Sequence, residues 1–367
     1  MQLDNFINCY LQCPQCLSPI EKEGDNIVCT TESKTIGRIE GGIIDLLPDD
    51  RPYHEFDSNR FEKMLEKAQT EGCYRALSCL QPGDQINESY FYDPTRSDFI
   101  FLLPVNRNSV VLDAGCGFGS LAVELSKKSE LVIGVDMSIE RLNFTRIRLR
   151  EEGISNVVLV HTDITQRWFR TDSISITIIN GLLEWIPLSG AGRPDIIQRD
   201  FLSMVREWLK PGGKIYVGIE NRFARSVIRG KPDPHSGLFG TSIVPRALAD
   251  LMIKTASRLQ YKGLGERMMG QKTGYRTWTY SLDGYLRMFK KAGYKKTKAY
   301  AALPHYNNPH VIIPAESNEA ALWYLRDWWM NHLLRKRLIN KEGLIANILA
   351  RSWILSSEAF LFIGETE

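Results

Sequence analysis

The sequence contains no long apolar run, and it carries little net charge. No stretch of its 367 residues approaches the run of about 18 apolar residues that a membrane-spanning helix needs. The first residues, MQLDNFINCYLQC, lack the charged head and apolar core of a signal peptide. The net charge is only +3 and 43% of the residues are hydrophobic, which is unlike a disordered chain. We therefore expect a globular protein of the cytoplasm.

Paired cysteines are also lacking. The seven cysteines are an odd number spread over a long chain, which argues against a disulfide framework of the kind found in small secreted proteins. The length corresponds to about two domains. Together these properties favour a cytoplasmic enzyme.

The small net charge hides an asymmetry along the chain. Residues 1–98 carry 18 acidic and 9 basic side chains, whereas residues 254–298 carry 12 basic and 2 acidic ones. The basic stretch is either an ordinary solvated surface or a region that attracts an anionic partner. Such a partner would be a phosphate-bearing small molecule or a nucleic acid.

Strand-like apolar runs alternate with helical segments from Val110 onward, in the order VVLDAG, SLAVELSKK, LVIGVD, IERLNFTRIRLREEG, VVLV, SISITIING and KIYVGIE. This alternation predicts an α/β fold with a doubly wound, mostly parallel sheet. We expect a small β module at 1–50, a helical linker or cap at 51–107 and one large domain at 108–367. Within that domain, 221–280 is expected to form a lid loop and 304–356 a helical insertion before the last strand.

A glycine-rich loop follows the first of these strands, in the sequence VVLDAGCGFGS. Glycines such as Gly115 and Gly117 let the backbone approach a bound ligand, and the helix that follows offers N–H donors. Asp136, at the end of LVIGVD, can accept hydrogen bonds from both hydroxyls of a ribose. Asp113 directly precedes the loop, where a carboxylate would repel a pyrophosphate but accept from a cationic amino group. Asp163 follows a third strand, and a Pro-Gly-Gly turn precedes a later one.

These motifs, in this order over about residues 95–220, resemble the class I S-adenosylmethionine-dependent methyltransferase family. The resemblance implies a Rossmann-like sheet with an antiparallel last strand, and S-adenosyl-L-methionine as the cofactor. It also implies a set of cofactor-binding residues: Asp113, Gly115, Cys116, Gly117, Asp136, Met137, Asp163, Ile164 and Asn180. A loop that binds nothing and an inactive relative of the family remain alternatives.

Methyl transfer to a hydroxyl needs an aligned nucleophile and a group that removes its proton. Ligands of open α/β sheets bind beyond the carboxyl ends of the strands, so we expect this group near Glu220, Arg222 or the loop that contains His235. His235 is the candidate base because an ordinary histidine has a pKa near 6.5. Arg222 and Arg246 are candidates to anchor an anionic acceptor.

Residues 219–303 bear a looser resemblance to bacterial methyltransferases of sugar, glycan or natural-product biosynthesis. This likeness implies O-methylation of a small acceptor. The alternative is an RNA base methyltransferase, or an RNA-binding module without activity, for which the basic stretch at 254–298 is the argument. His305 and His310 are further candidates on a loop that could cover the acceptor.

The amino-terminal module contains a Cys-x-x-Cys pair, Cys13 and Cys16, followed by Cys29. A tetrahedral zinc site needs a second pair, but Glu32 stands where its last cysteine would be. Cys9 is a candidate fourth thiolate, and a metal-free remnant is the alternative. The module resembles zinc-ribbon-like domains that precede some methyltransferases, including ribosomal RNA guanine methyltransferases.

The insertion is unusually aromatic, with Trp323, Trp328 and Trp329. Its apolar residues recur at helical spacing, which predicts a helix that faces the core or a second copy of the chain in a homodimer. A helix on a membrane surface is the alternative.

Overall fold

The computed structural model describes residues 2–47, 58–80, 89–259, 275–325 and 344–366. Contacts between residues divide the chain into two compact units. Unit 1 comprises Met1–Ile179, Ser203–Tyr216 and Glu365–Glu367, and unit 2 comprises Asn180–Leu202 and Val217–Gly364. Neither the expected boundary after residue 50 nor that after residue 107 coincides with a boundary between these units.

Unit 1 begins with a helix and four short strands. They are α1 (Leu3–Tyr10), β1 (Ile20–Glu23), β2 (Asn26–Cys29), β3 (Lys34–Glu40) and β4 (Ile43–Asp45). The four strands pair antiparallel in chain order, as expected of a small β module. The module does not stand apart, because β4 also pairs in parallel with β7 (Val157–His161), with Asp45 opposite His161.

The centre of unit 1 is a parallel sheet. Its strands β5 (Val110–Ala114), β6 (Leu131–Asp136) and β8 (Ile174–Asn180) join β7, and the order is β4-β7-β6-β5-β8. Every residue of β5 and β6 is buried, as in a sheet covered on both faces. The predicted α/β fold with a mostly parallel sheet is confirmed.

Helices of unit 1 complete its core. They are α2 (Ser58–Glu71), α3 (Cys73–Ala76), α4 (Ser89–Tyr92), α5 (Ser120–Ser126) and α6 (Ile139–Glu151). Phe118, directly after the glycine-rich turn, packs against Phe61, Phe91 and Phe144, with ring centroids 4.6 to 5.9 Å apart. This aromatic cluster fixes the loop between β5 and α5 against α6.

Four elements have residues in both units, namely β8, α7 (Pro194–Trp208), β9 (Leu209–Glu220) and β12 (Ala359–Glu365). The other elements of unit 2 are α8 (Arg225–Ile228), α9 (Arg246–Arg258), α10 (Leu282–Lys291), β10 (Lys296–His305), β11 (Asn308–Pro314), α11 (Asn318–Trp323) and α12 (Leu344–Leu355). In the sheet, β12 lies between β9 and β10, and β11 forms an antiparallel hairpin with β10.

The hairpin and the helices revise two sequence-based expectations. Residues 304–356 were expected to be helical, but they include β11, whose two prolines obscure its strand pattern. The expected lid, 221–280, contains α8 and α9. Trp328 and Trp329 lie outside the described residues, as do residues 260–274 of the basic stretch. Within the described part of the chain, every helix is too short or too polar to span a bilayer.

Candidate active site

The loop after β5 presents its backbone to open space. Gly115 and Gly117 have φ values of +74° and +54°, which suit glycine. The N–H groups of Gly115 and Cys116 both donate to the carbonyl oxygen of Val135, at 2.8 and 2.9 Å, and so tie the loop to β6. A Cβ atom added at Gly117 would meet no atom within 4 Å. The loop (residues 114–119, the glycine loop) is therefore rigidly held and open to a ligand on one side.

Two buried carboxylates flank the glycine loop. Asp136 accepts hydrogen bonds from the N–H of Gly117 at 2.8 Å and from that of Ser138 at 2.9 Å. Asp113 is 1% exposed, and its Oδ2 atom has no hydrogen-bond partner among the described residues. Because an unsatisfied buried carboxylate is costly, Asp113 is suited to a ligand that brings a donor or a positive charge.

Burial controls the charge of both carboxylates. It raises the pKa of Asp113 to about 7, the negative charge of Asp136 adds to this rise, and Arg96 opposes it. Burial also raises the pKa of Asp136, although the backbone donors of Ser138 and Gly117 oppose the shift. A neighbouring cation would therefore favour the ionised form of Asp113.

The other candidate cofactor residues take different positions. Asp163 is buried, and its Oδ1 accepts from the N–H and the hydroxyl of Thr165 at 2.9 and 2.6 Å. Ile164 is also buried, whereas Met137 is half-buried. The Cys116 thiol packs in an apolar cluster with Leu142 and Leu159 and is therefore not offered to a ligand.

Asn180, the last residue of β8, is half-buried and belongs to unit 2. The carbonyl oxygen of Met137 lies 3.1 Å from Nε2 of His161, and Nδ1 of that histidine lies 2.7 Å from Oδ1 of Asp45. The amino-terminal module thereby supports the segment that follows Asp136.

Unit 2 brings together Glu184, Glu220 and His235, which we call the acid–histidine cluster. One potential ligand atom from each of the three side chains lies within 4.8 Å of the others. Glu184 is completely buried, and neither of its carboxylate oxygens has a hydrogen-bond partner among the described residues. Nε2 of His235 lies 3.7 Å from Oε2 of Glu220, which is an ion-pair distance longer than a hydrogen bond.

Neighbouring side chains hold the acid–histidine cluster in place. The Tyr306 hydroxyl donates to Oε1 of Glu220 at 3.1 Å, and Nε2 of His305 lies 3.8 Å from the same oxygen. Oδ1 of Asp233 accepts from the backbone N–H of His235 at 3.0 Å. The rings of Trp185 and His235 meet edge to face, with centroids 4.9 Å apart.

The charges in the acid–histidine cluster change the role expected of His235. Burial opposes the charge of His235, but the carboxylates of Glu220 and Glu184 outweigh it and raise the pKa of His235 above its ordinary value. Burial favours a neutral Glu220, yet His235 holds the pKa of Glu220 low. Burial and Glu220 raise the pKa of Glu184. The raised pKa of His235 favours the imidazolium over the neutral base expected from the sequence, and a catalytic role of His235 stays a prediction.

Arg222 and Arg246 are used within unit 2. The Arg222 guanidinium donates to the carbonyl oxygens of Ile243 and Val244 at 2.9 and 2.7 Å, and so anchors the segment before α9. Arg246 donates to the carbonyl oxygen of Thr279 and lies over the ring of Trp278, 4.8 Å from its centroid. Both arginines have structural partners, but Nε of Arg222 and Nη1 of Arg246 have no hydrogen-bond partner among the described residues. The anion-binding role expected of them stays a prediction. His310 is exposed.

The methyltransferase domain family matches residues 111–213, the range that holds the glycine loop, Asp136 and Asp163. The family match thus covers the glycine loop, whose backbone is open to a ligand at Gly117. The chain contains a class I, S-adenosylmethionine-dependent methyltransferase domain.

Three curated relatives show the range of this similarity. A probable cobalt-precorrin-6B C(15)-methyltransferase (decarboxylating) of Methanothermobacter thermautotrophicus is 29% identical over 112 residues, 30% of this chain and 52% of that protein. A tRNA (guanine-N(7)-)-methyltransferase of Syntrophotalea carbinolica is 25% identical over 116 residues, 30% of this chain and 50% of that protein. A ubiquinone biosynthesis O-methyltransferase of Histophilus somni is 26% identical over 177 residues, 44% of this chain and 62% of that protein.

The chain thus spans about half the length of the curated relatives it matches. Among solved structures, phosphoethanolamine N-methyltransferase 2 of Haemonchus contortus in complex with S-adenosyl-L-methionine has a TM-score of 0.41 and 15% identity. That match covers 86% of this chain and 62% of the other.

Sequence reasoning did not find the whole of the acid–histidine cluster. It assigned no role to Glu184 or to Tyr306. The only signal for Glu184 was an acidic residue among apolar ones in the segment LLEWIP, just after a strand of the methyltransferase domain. Tyr306 approaches Glu220 from the β10–β11 turn, 86 residues along the chain.

The thiols of Cys13, Cys16 and Cys29 form a second group, in unit 1, with their sulfur atoms within 4.8 Å of one another. The Ser18 hydroxyl and the backbone N–H of Glu32 lower the pKa of Cys29 to about 7, which favours a thiolate. Cys9 lies outside this group, and its thiol donates to Oδ1 of Asn5 at 3.4 Å. Zinc binding by Cys13, Cys16 and Cys29, which would fill three of the four positions of a tetrahedral site, stays a prediction.

Replacement of Glu220 tests the charge assignment of the acid–histidine cluster. We expect Glu220→Gln to lower the pKa of His235, because burial then outweighs the remaining attraction of Glu184. Tyr306→Phe is the matched control: it removes a hydrogen bond to Glu220 but leaves the carboxylate, so His235 should keep its raised pKa. NMR titration of ¹³C-labelled histidines measures both. A wild-type His235 that titrates at or below its ordinary value would contradict the assignment.

Proposed function

We propose that the chain transfers a methyl group from S-adenosyl-L-methionine to a hydroxyl of a small molecule, such as a sugar or a natural product. The observation that carries the cofactor part is the buried Oδ2 of Asp113, which has no hydrogen-bond partner among the described residues and lies next to the glycine loop, where Gly117 is open. When bound, the cofactor supplies an electrophilic methyl group on a sulfonium. The residues of this chain bind and orient it.

The residues around the glycine loop fit this cofactor. Asp113 would accept from the cationic amino group of its methionine part, which supplies the charge that the buried carboxylate lacks. Each oxygen of Asp136 accepts one backbone N–H and has capacity for a ribose hydroxyl. Gly115 and Gly117 would let the ligand lie against the backbone. Further along the sheet, Met137, Asp163 and Ile164 would face the adenine.

For the acceptor, we propose that the acid–histidine cluster binds its reacting hydroxyl. The proton of a hydroxyl becomes acidic as its oxygen is alkylated, so a carboxylate suffices to receive it. Glu220 is that carboxylate, because His235 keeps it ionised and is itself already protonated. His235 is then a positioning residue that holds the charge of Glu220.

The contacts of the basic side chains favour a small acceptor over RNA, because a cation that is engaged within the protein cannot bind an RNA phosphate. Arg276, inside the basic stretch, donates to the carbonyl oxygens of Pro187, Gly190 and Gly192 at 2.6 to 2.9 Å. It is committed to holding a loop of unit 2. The basic stretch therefore offers fewer cations to phosphates than the sequence alone indicates.

Binding of S-adenosylhomocysteine, measured by isothermal titration calorimetry, tests the cofactor part. Because the pKa of Asp113 is raised to about 7, its carboxylate form grows about tenfold between pH 6 and pH 8, and affinity for the cationic amino group should rise by about that factor. Asp113→Asn should bind more weakly and lose this dependence. Glu130→Gln, an exposed change in unit 1, should retain it. Absence of binding, or a pH slope that survives Asp113→Asn, would refute the assignment.

Transfer of tritium from methyl-labelled S-adenosylmethionine tests the acceptor part. We expect label in a panel of free sugars, nucleotide-linked sugars and phenols, and none in bulk tRNA or ribosomal RNA. Glu220→Gln should lower the rate by about 10²-fold or more, because it removes the proton acceptor. Glu319→Gln, an exposed change in unit 2, is the control. Label confined to RNA, or full activity of Glu220→Gln, would overturn this part of the proposal.

A further inference from the structure

In the part of the chain that the structure describes, the acid–histidine cluster leaves several buried polar atoms without a hydrogen-bond partner. They are both carboxylate oxygens of Glu184, Oε2 of Glu220 and Nε2 of His235. Glu184 is 0% exposed and His235 is 6% exposed, so solvent does not satisfy them. Buried polar groups are normally hydrogen-bonded, and carboxylates are the most costly to leave unsatisfied. A positive species at their common centre would satisfy all three side chains at once.

The spacing suits ligands of one ion better than partners in hydrogen bonds. Nε2 of His235 and Oε2 of Glu220 are 3.7 Å apart, beyond the range of a hydrogen bond. Two ligand atoms held about 2.1 Å from one ion at tetrahedral or octahedral angles lie about 3.0 to 3.5 Å apart. Each of the three side chains offers a ligand atom within 4.8 Å of the other two. Small movements of these side chains would therefore bring all three atoms to coordination distance of one ion.

Surrounding groups orient the three side chains and leave their inward atoms free for an ion. Oε1 of Glu220 accepts from the Tyr306 hydroxyl at 3.1 Å, which turns Oε2 toward His235. The backbone of His235 is fixed by Asp233, whose other oxygen accepts from the Tyr275 hydroxyl at 3.1 Å. Outer hydrogen bonds of this kind orient the ligands in protein metal sites.

We propose that Glu184, Glu220 and His235 bind one divalent metal ion, through an oxygen of each carboxylate and Nε2 of the histidine. Binding of the ion displaces the Nε2 proton of His235, and the two carboxylates and the neutral imidazole then balance its charge. Oxygen and imidazole ligands suit Mn²⁺, Fe²⁺ or Zn²⁺, and three protein ligands leave coordination positions open for an oxygen of another molecule. This metal site is a proposal beyond methyl transfer, and its test measures metal binding without any methyl transfer.

Binding of Mn²⁺ to the full chain after treatment with EDTA tests the site. Mn²⁺ is chosen because the thiols of Cys13, Cys16 and Cys29 prefer softer ions. Loss of the free Mn²⁺ signal in electron paramagnetic resonance should show one ion bound per chain. Glu184→Gln, which keeps the shape of the side chain, should weaken binding by about tenfold or more. Glu316→Gln, an exposed change in the same unit, should have no effect.

Two further variants keep the test decisive if Glu184→Gln does not fold. Tyr306→Phe should weaken Mn²⁺ binding by about tenfold, since it frees Glu220 to turn away. Electron spin echo modulation from a bound imidazole nitrogen should be present in the wild type and absent in His235→Gln. No binding of Mn²⁺ by the wild type, binding without nitrogen modulation, or binding that folded Glu184→Gln and Tyr306→Phe leave unchanged would each overturn the proposal.

Discussion

Parallel pairing of β5 with β6 on one side and β8 on the other is the constraint on which the cofactor residues depend. Asp113 lies opposite Gly134 of β6 and Ile178 of β8, in strands that are almost wholly buried. The pairing leads both β5 and β6 to the same edge of the sheet, where Asp113 and Asp136 flank the glycine loop. Without this register, neither carboxylate would be buried, and the pKa of Asp113 would not be raised.

Burial also acts on the pKa values of the acid–histidine cluster in unit 2, but there it does not decide the charge of every group. Burial alone would neutralise Glu184, Glu220 and His235. His235 lowers the pKa of Glu220, and the carboxylates of Glu220 and Glu184 raise that of His235. Burial and the charge of Glu220 raise the pKa of Glu184. The cluster therefore holds separated charges that a cation or a polar acceptor can exploit. In unit 1 the unpartnered oxygen of Asp113 offers a single negative charge for a cationic group.

Much of unit 1 is predictable from the sequence, because local signals specify it. Continuous apolar runs mark β5 and β6, and the glycines and acids that follow them mark the loop. The attachment of the amino-terminal module is not predictable in this way. It depends on parallel pairing of β4 with β7 and on the contact of Asp45 with His161, which are 116 residues apart. No local pattern encodes such a pairing.

The acid–histidine cluster was half predictable. Glu220 and His235 follow a strand end and a turn, which are ordinary places for functional side chains. Their charges depend on their burial, on each other and, for His235, on Glu184. Tyr306 from the β10–β11 hairpin orients Glu220. Only the tertiary structure supplies these contacts. For that reason the sequence suggested His235 as a base, whereas its environment favours the cation.

A crystal structure of the chain with S-adenosylhomocysteine tests the central claim most directly, namely that the glycine loop and its two buried carboxylates form the cofactor site. The account predicts the amino group of the ligand at hydrogen-bond distance from Asp113 and its ribose hydroxyls on Asp136. Electron density for the ligand elsewhere, or no ligand at saturating concentration, would contradict it.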